Sequence, residues 1–215
     1  SPWTPAGDIA LQVMQIRDVG TDRTPLTGAW SRWGWNHPGP VEYYLLAPFS
    51  WLFGTRGVLV GAGMINVASL VTVVVAAARR GGRLLAGFVA LIAVLLSARL
   101  GTEILVSPWN PWVTVLAYFA FVMLVWSVAE CDTAALPFAV GFGSFVVQSH
   151  IGYTPLVLGA AAAALVVAWV SRRFTESSEA DDQAVPPHAS ATPARRHALV
   201  AAAVGGVLWA PVVIE

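Results

Sequence analysis

Long apolar runs alternate with short polar segments over most of this 215-residue chain. A helix needs about 20 apolar residues to cross the hydrocarbon core of a bilayer. Six runs come close to that length, and they are residues 57–78, 84–106, 112–129, 134–150, 153–171 and 197–213. The pattern therefore predicts an all-α fold, a polytopic membrane bundle of about six transmembrane helices.

Two shorter helices are predicted ahead of the first span. The stretch 41–54 is apolar, but it is too short to cross a membrane and it contains Pro48. Its aromatic residues and single glutamate favour a helix that lies in the membrane interface. Asp8 stands before an apolar run and predicts a helix over 9–19. Residues 1–56 thus form a predicted loop with short interfacial helices.

Clusters of arginine orient the predicted spans. They lie between the first and second spans, at the end of the fifth and before the sixth, and they are Arg79, Arg80, Arg83, Arg172, Arg173, Arg195 and Arg196. Strict alternation from an outer N-terminal loop puts all seven on one side, which the positive-inside rule makes cytoplasmic. We therefore expect a multi-pass protein of the cell membrane whose loop 1–56 faces outward.

The predicted organisation has four parts. Residues 1–56 are the outer loop, and 57–173 hold the first five spans. Residues 174–196 are rich in Pro, Ala, Ser and acidic side chains, which predicts a disordered cytoplasmic linker. Residues 197–215 hold the sixth span. Because the chain starts at Ser1 in a predicted loop, we expect it to be an internal piece of a larger membrane protein.

Composition supports a membrane protein and limits its chemistry. Hydrophobic residues make up 57% and charged residues 11% of the chain, whereas a soluble domain is about a quarter charged. The net charge is zero, which gives no reason to expect a nucleic-acid partner. The single cysteine, Cys131, excludes an internal disulfide and a cysteine-based zinc site, and we interpret it as a small residue at a helix end.

The predicted topology gathers polar and aromatic residues at the outer face. Ionisable groups in or beside a span are costly and are therefore functional candidates. Asp8 is the candidate catalytic carboxylate. The candidate substrate-binding residues are Arg17, Arg32, His37, Glu42, Tyr43, Tyr44, Arg99, Trp109, Asn110, Gln148 and His150.

Several of these residues also have a purely structural interpretation. His37 precedes Pro-Gly-Pro and could belong to a rigid turn, and Trp109 could be an anchor in an aromatic belt. Asp8 could cap the helix over 9–19. Arg99 and Glu103 are four residues apart, so on a helix they could form a structural ion pair.

The order of these motifs resembles the type C membrane glycosyltransferases. Gly7-Asp8 is followed about thirty residues later by His37-Pro38-Gly39-Pro40, then by Tyr43-Tyr44 and Leu52-Phe53-Gly54 ahead of a span. The most similar members are the protein O-mannosyltransferase and aminoarabinose-transferase superfamily. Trp109-Asn110-Pro111 and Gln148-Ser149-His150 resemble elements of actinobacterial proteins of this kind. The useful likeness covers roughly residues 1–80, and the rest is similar in topology alone.

This resemblance implies a sugar carried on a polyprenyl phosphate and an acidic residue of the first outer loop as general base, a position matched by Asp8. The acceptor would be a glycan, lipid or protein outside the cell. The chain departs from the family where Ile9 follows Asp8 in place of a second acid, and where the turn reads Pro-Gly-Pro instead of Pro-Pro.

On this hypothesis Asp8 takes the proton of an acceptor hydroxyl that attacks the sugar with inversion. Arginines or protonated histidines would bind the departing phosphate; the candidates are Arg17, Arg32, His37, Arg99 and His150. Tyr43 and Tyr44 would line the lipid or the sugar. Asp8 and His37 could together hold a divalent cation, but no metal-ligand spacing is evident and we expect no cofactor.

Two other functions fit the same pattern. A transporter or lipid flippase would use the ionisable residues to line a path, but it predicts internal repeats and discontinuous helices, and the sequence shows no repeat. A non-catalytic assembly subunit would pack small-residue faces such as 160–164 against partner helices. That function needs no outer set of a carboxylate and histidines.

Overall fold

The computed structural model describes residues 3–179 and 191–214. All regular elements there are helical, apart from one isolated bridge between Trp30 and Asn36. The α-helices are α1 (Gly7–Asp18), α2 (Val41–Phe53), α3 (Gly57–Leu105), α4 (Asn110–Ala129), α5 (Leu136–Ser149), α6 (Thr154–Glu179) and α7 (Ala191–Ile214). The predicted all-α class is confirmed.

Four helical stretches of the described residues are long and apolar enough to cross a membrane. They are Val41–Leu105, Asn110–Ala129, Ile151–Ser171 and Pro193–Ile214. The last two bury only 6% of their most apolar window inside the protein, so lipid is the natural cover for their side chains. These helices are those of a multi-pass membrane protein, although fewer reach the full length than the six predicted.

The difference from six has two causes. The predicted span 134–150 corresponds to a shorter apolar helix, Thr133–Ser149, whose α-helical part, α5, has only 14 residues. The predicted spans 57–78 and 84–106 both lie within α3, which has 49 residues and is interrupted at Gly81 and Gly82.

The interruption folds α3 into a hairpin. Gly82 has φ 63° and ψ −158°, a conformation that only glycine adopts without strain. Beyond it the chain runs back along the first arm. A hydrogen bond of 2.7 Å from the Asn66 side-chain amide to the carbonyl of Leu105 shows this return. Val73 of the first arm and Val89 of the second share one buried cluster. The two arms therefore run antiparallel, as two neighbouring spans would.

The main core joins α1 and α2 to the bundle. Val13 and Ile16 of α1, three positions apart on one helix face, are buried against Leu46 of α2. The cluster continues through Val58 of α3 and Phe121 of α4. The predicted short helices over 9–19 and 41–54 are thus observed as α1 and α2, and both are docked on the bundle by apolar contacts.

Charged groups mark the opposite end of the bundle. Arg79, just before the bend of α3, contacts both carboxylate oxygens of Asp132 at 3.0 and 2.8 Å. Arg80 donates to the carbonyl of Glu130, beyond the end of α4. Cys131 lies between these acidic residues, is exposed and has a positive φ of 63°. The first arginine cluster therefore lies at the far end of α4 from Asn110.

The predicted linker 174–196 is entered by helices from both sides. The backbone of α6 continues to Glu179, and that of α7 begins at Ala191. Residues 180–190 lie outside the described residues, and their predicted disorder stays a prediction.

Candidate functional site

A cavity of about 580 Å³ lies at the end of the bundle where α1 and α4 begin and α5 ends. Six of the residues predicted to form a site line it: Asp8, Arg32, His37, Trp109, Asn110 and His150. They come from four separate parts of the chain. The structure therefore brings together half of the predicted site, including the carboxylate and both histidines.

Backbone hydrogen bonds fix the segment that carries His37. The His37 N–H donates to the Ala29 carbonyl and the His37 carbonyl accepts from the Gly28 N–H, both over 2.9 Å. The Gly39 N–H, two residues on, donates to the carbonyl of Gln148 at 3.4 Å. The turn is thus attached to residues 28–29 on one side and to α5 on the other.

The two histidines stack on each other. The ring centroids of His37 and His150 are 4.9 Å apart, with an angle of 29° between the planes. Nδ1 of His37 accepts from the Ile151 N–H, and Nδ1 of His150 accepts from the Gly152 N–H, each at 3.2 Å. A ring nitrogen that accepts a hydrogen bond carries no proton, so each neutral ring has its proton on Nε2.

Burial also keeps these rings uncharged. It lowers the pKa of His37 from 6.5 to about 4, helped by the neighbouring His150. Desolvation likewise lowers the pKa of His150. At neutral pH both side chains can therefore act as hydrogen-bond donors through Nε2–H, but not as cations. Neutral rings do not favour the expected contact of a protonated histidine with a phosphate, and that contact stays a prediction.

Asp8 lies in the first turn of α1 and is exposed to the cavity. The helix begins at Gly7 and its N-cap is Ala6, which makes no side-chain capping bond. The interpretation of Asp8 as the N-cap is therefore wrong. A carboxylate in the first turn of a helix interacts favourably with the helix dipole, and from there Asp8 faces the cavity.

Arg32 supplies the positive charge of the cavity. It is the only arginine among the described residues that line it. Its guanidinium carbon lies 5.1 Å from the centre of the Trp33 ring, within the range of a cation–π contact. The contact leaves the exposed guanidinium free to bind an anion in addition.

Asn110 holds the floor of the cavity together. Its Nδ2 donates to the Ser149 carbonyl at the end of α5 over 2.9 Å. Its Oδ1 is 3.2 Å from the side-chain amide of Gln12 on α1. Trp109, the preceding residue, makes an edge contact with Trp112 at 5.0 Å. Asn110 is buried and fully engaged, so its role here is to position three helices.

Four other predicted residues, on α2 and α5, do not line this cavity. Glu42 and Tyr43 of α2 are 3% and 2% exposed, and Glu42 Oε1 and the Tyr43 hydroxyl have no hydrogen-bond partner among the described residues. The Tyr44 hydroxyl donates to the Pro25 carbonyl at 2.7 Å. Gln148 is fully buried and donates to the Leu208 carbonyl of α7 at 2.9 Å. Tyr43 lines an adjoining cavity, which it shares with Asp8.

Two predicted arginines lie outside the cavity. Arg17 is exposed at the end of α1 and contacts the hydroxyl of Thr55. Arg99 is exposed on α3, and in the described part of the chain it forms no ion pair with Glu103. The physical reason is Gly101, whose φ of 79° interrupts the helix between them. A spacing of four residues brings side chains together only on a continuous helix.

Sequence reasoning missed the residues that form the outer wall. Trp30, Ser31, Trp33 and Trp35 line the cavity beside Arg32. The signal was present as the run Trp-Ser-Arg-Trp-Gly-Trp, which reads equally well as an aromatic belt. In residues 3–179 and 191–214, no three His, Cys, Asp or Glu side chains are grouped as a metal site would require.

Comparisons with protein-family models, curated proteins and solved structures find no match to this chain. The residues and their geometry are therefore the evidence for its function.

Proposed function

We propose that this protein is a membrane glycosyltransferase that moves a sugar from a polyprenyl-phosphate donor to an acceptor hydroxyl outside the cell membrane. The observation that carries the proposal is the shared cavity of Asp8, Arg32, His37 and His150. It combines a carboxylate, a cation and two neutral donors at one end of a bundle of apolar helices. A donor with a lipid tail and a charged, sugar-bearing head needs such a boundary.

The reaction assigns one task to each group. The acceptor oxygen forms a bond to the anomeric carbon of the sugar while the bond from that carbon to the phosphate oxygen breaks. The electron pair of the broken bond stays on the polyprenyl phosphate, and the acceptor proton passes to Asp8. One direct displacement inverts the configuration at the anomeric carbon.

The remaining groups stabilise the leaving phosphate and orient the sugar. Arg32 offers a guanidinium fork that matches a phosphate. The Nε2–H groups of His37 and His150 are neutral donors, suited to sugar hydroxyls or to a phosphate oxygen already paired with Arg32. The stack of the two rings and their backbone bonds keep both donors in place before the substrate binds.

The test uses the full-length protein in proteoliposomes, supplied with polyprenyl-phosphate-linked hexoses and pentoses and with glycan, lipid and peptide acceptors. Sugar on an acceptor together with free polyprenyl phosphate reports transfer. Asp8→Asn should lower the rate by about 100-fold or more, the usual loss when a general base is removed, with unchanged thermal stability. Asp18→Asn is the matched control, because Asp18 ends the same helix and pairs with Arg23.

Two results would remove this proposal. One is an undiminished rate for Asp8→Asn. The other is movement of the intact lipid-linked sugar between leaflets without release of polyprenyl phosphate, which would favour a flippase.

A further inference from the structure

The wall of the cavity is a short hairpin with a defined backbone. Within residues 28–37, the Ser31 N–H donates to the Trp35 carbonyl at 2.7 Å and the Gly34 N–H donates to the Ser31 carbonyl at 3.1 Å. Trp30 and Asn36 form a bridge just below the turn. We call residues 28–37 the tryptophan hairpin. Its base holds His37, so the hairpin and the histidine stack form one continuous unit.

Three indoles of this hairpin are unusually exposed for their size. Trp30 and Trp33 are each 66% exposed and Trp35 is 45% exposed. All three line the same cavity as Trp109. A cluster of exposed large aromatic side chains rimmed by polar groups marks a surface that binds a ligand or a membrane.

The groups between the indoles indicate what binds. The same cavity presents Asp8, Ser31 and Arg32, so aromatic faces alternate with hydrogen-bonding groups. A sugar ring has that character, with a C–H face that packs on an indole and hydroxyls around its edge. A lipid chain needs a uniformly apolar groove, and one lies elsewhere, between α2, α3, α5 and α7.

We propose that the tryptophan hairpin is a carbohydrate-binding wall and that the acceptor of this protein is a glycan. The inference rests on the proposed function, because only a transferase has an acceptor. Binding of a glycan can nevertheless be measured without transfer. The competing role is an aromatic anchor in the lipid interface, and the experiment separates the two.

The protein is placed in lipid nanodiscs and titrated with maltoheptaose, a manno-oligosaccharide and an arabino-oligosaccharide, with intrinsic fluorescence and calorimetry as readouts. At least one should bind saturably. Trp33→Ala should weaken that binding about tenfold, whereas Trp33→Phe should retain most of it because an aromatic face remains. Trp51→Ala is the control, since Trp51 is 62% exposed on α2 but does not line the cavity.

Brominated lipids test the competing role in the same nanodiscs. The difference in fluorescence between wild type and Trp33→Ala gives the emission of Trp33 alone. If the brominated lipid quenches that emission and no glycan binds, the inference is overturned. Equal affinity of wild type and Trp33→Ala for the bound glycan overturns it as well. Glycan binding without any transfer would reject the proposed transferase activity but leave the carbohydrate-binding role of the hairpin intact. Transfer to an acceptor that is not a glycan would support the transferase and reject the glycan acceptor.

Discussion

Replacement of Gly39 by alanine should test how the His37 turn is attached to the bundle. A Cβ atom at Gly39 would lie 2.1 Å from Oε1 and 2.5 Å from Cδ of Gln148. Gln148 is fully buried, and its Nε2 already donates to the Leu208 carbonyl. The methyl group can be accommodated only if the Gln148 amide moves away from that bond or the turn leaves α5.

The expected magnitude follows from these two contacts. Overpacking of a buried site costs about 1–3 kcal/mol, and a buried amide that loses its partner costs about 1–3 kcal/mol more. We therefore expect Gly39→Ala to lower the free energy of unfolding by about 2–6 kcal/mol. For a protein of this size that corresponds to a fall in Tm of roughly 4–24 °C.

The assay is thermal unfolding in detergent, followed by tryptophan fluorescence. The control is Gly159→Ala on α6, where an added Cβ atom meets nothing within 4 Å. This substitution should raise the free energy of unfolding by a few tenths of a kcal/mol. A Gly39→Ala/Gln148→Ala double variant should recover part of the loss, because the overlapping amide is gone. If Gly39→Ala unfolds within about 0.5 kcal/mol of wild type, the inferred close approach is wrong.

Three further predictions concern the histidine stack and the far end of the bundle. Because the pKa of His37 is lowered by folding, the unfolded state binds more protons than the folded state between pH 6.5 and about 4. The free energy of unfolding should therefore be full above pH 6.5 and fall by about 2 kcal/mol towards pH 4, after allowance for solvent screening. A His37→Gln variant that shows the same fall in Tm would refute this. Asp132→Asn removes the carboxylate that Arg79 contacts through two oxygens and should cost about 1 kcal/mol in the same unfolding assay. Glu130→Gln should be neutral, and equal losses for the two variants would contradict the role of the ion pair. Gly82→Ala should cost about 1–3 kcal/mol because its φ of 63° with ψ −158° strains any other residue, and an unchanged Tm would argue against the sharp bend in α3.

Apolar runs were sufficient to predict most of the helices. The two arms of α3 follow from runs of about 20 residues on either side of the Arg79–Arg83 segment, because such runs have few alternatives to a helix in a membrane. The length of α5 was overestimated, since a run of apolar residues does not reveal which of them form the preceding 3₁₀ turn at Thr133–Ala135.

The candidate site was harder to predict from the sequence than the helices. His37 and His150 were both nominated from topology, but their stacking depends on contacts across a large separation in sequence that leave no local pattern. The pairing of Arg99 with Glu103 failed at a single residue, Gly101, because nothing in the surrounding run distinguishes a helical glycine from one with a positive φ. The exposed face of Trp33 likewise depends on a turn whose direction the sequence does not specify.

The exposed thiol of Cys131 offers a direct measurement of sidedness. Twenty residues at 1.5 Å each make α4 about 30 Å long, the thickness of the hydrocarbon core, with Asn110 and the cavity at one end and Cys131 just beyond the other. The chain has one cysteine, so within these 215 residues a membrane-impermeant maleimide would modify a single position without any engineered label. If the tryptophan hairpin faces outward, the Cys131 thiol should resist the reagent in intact cells and react with it in inverted vesicles.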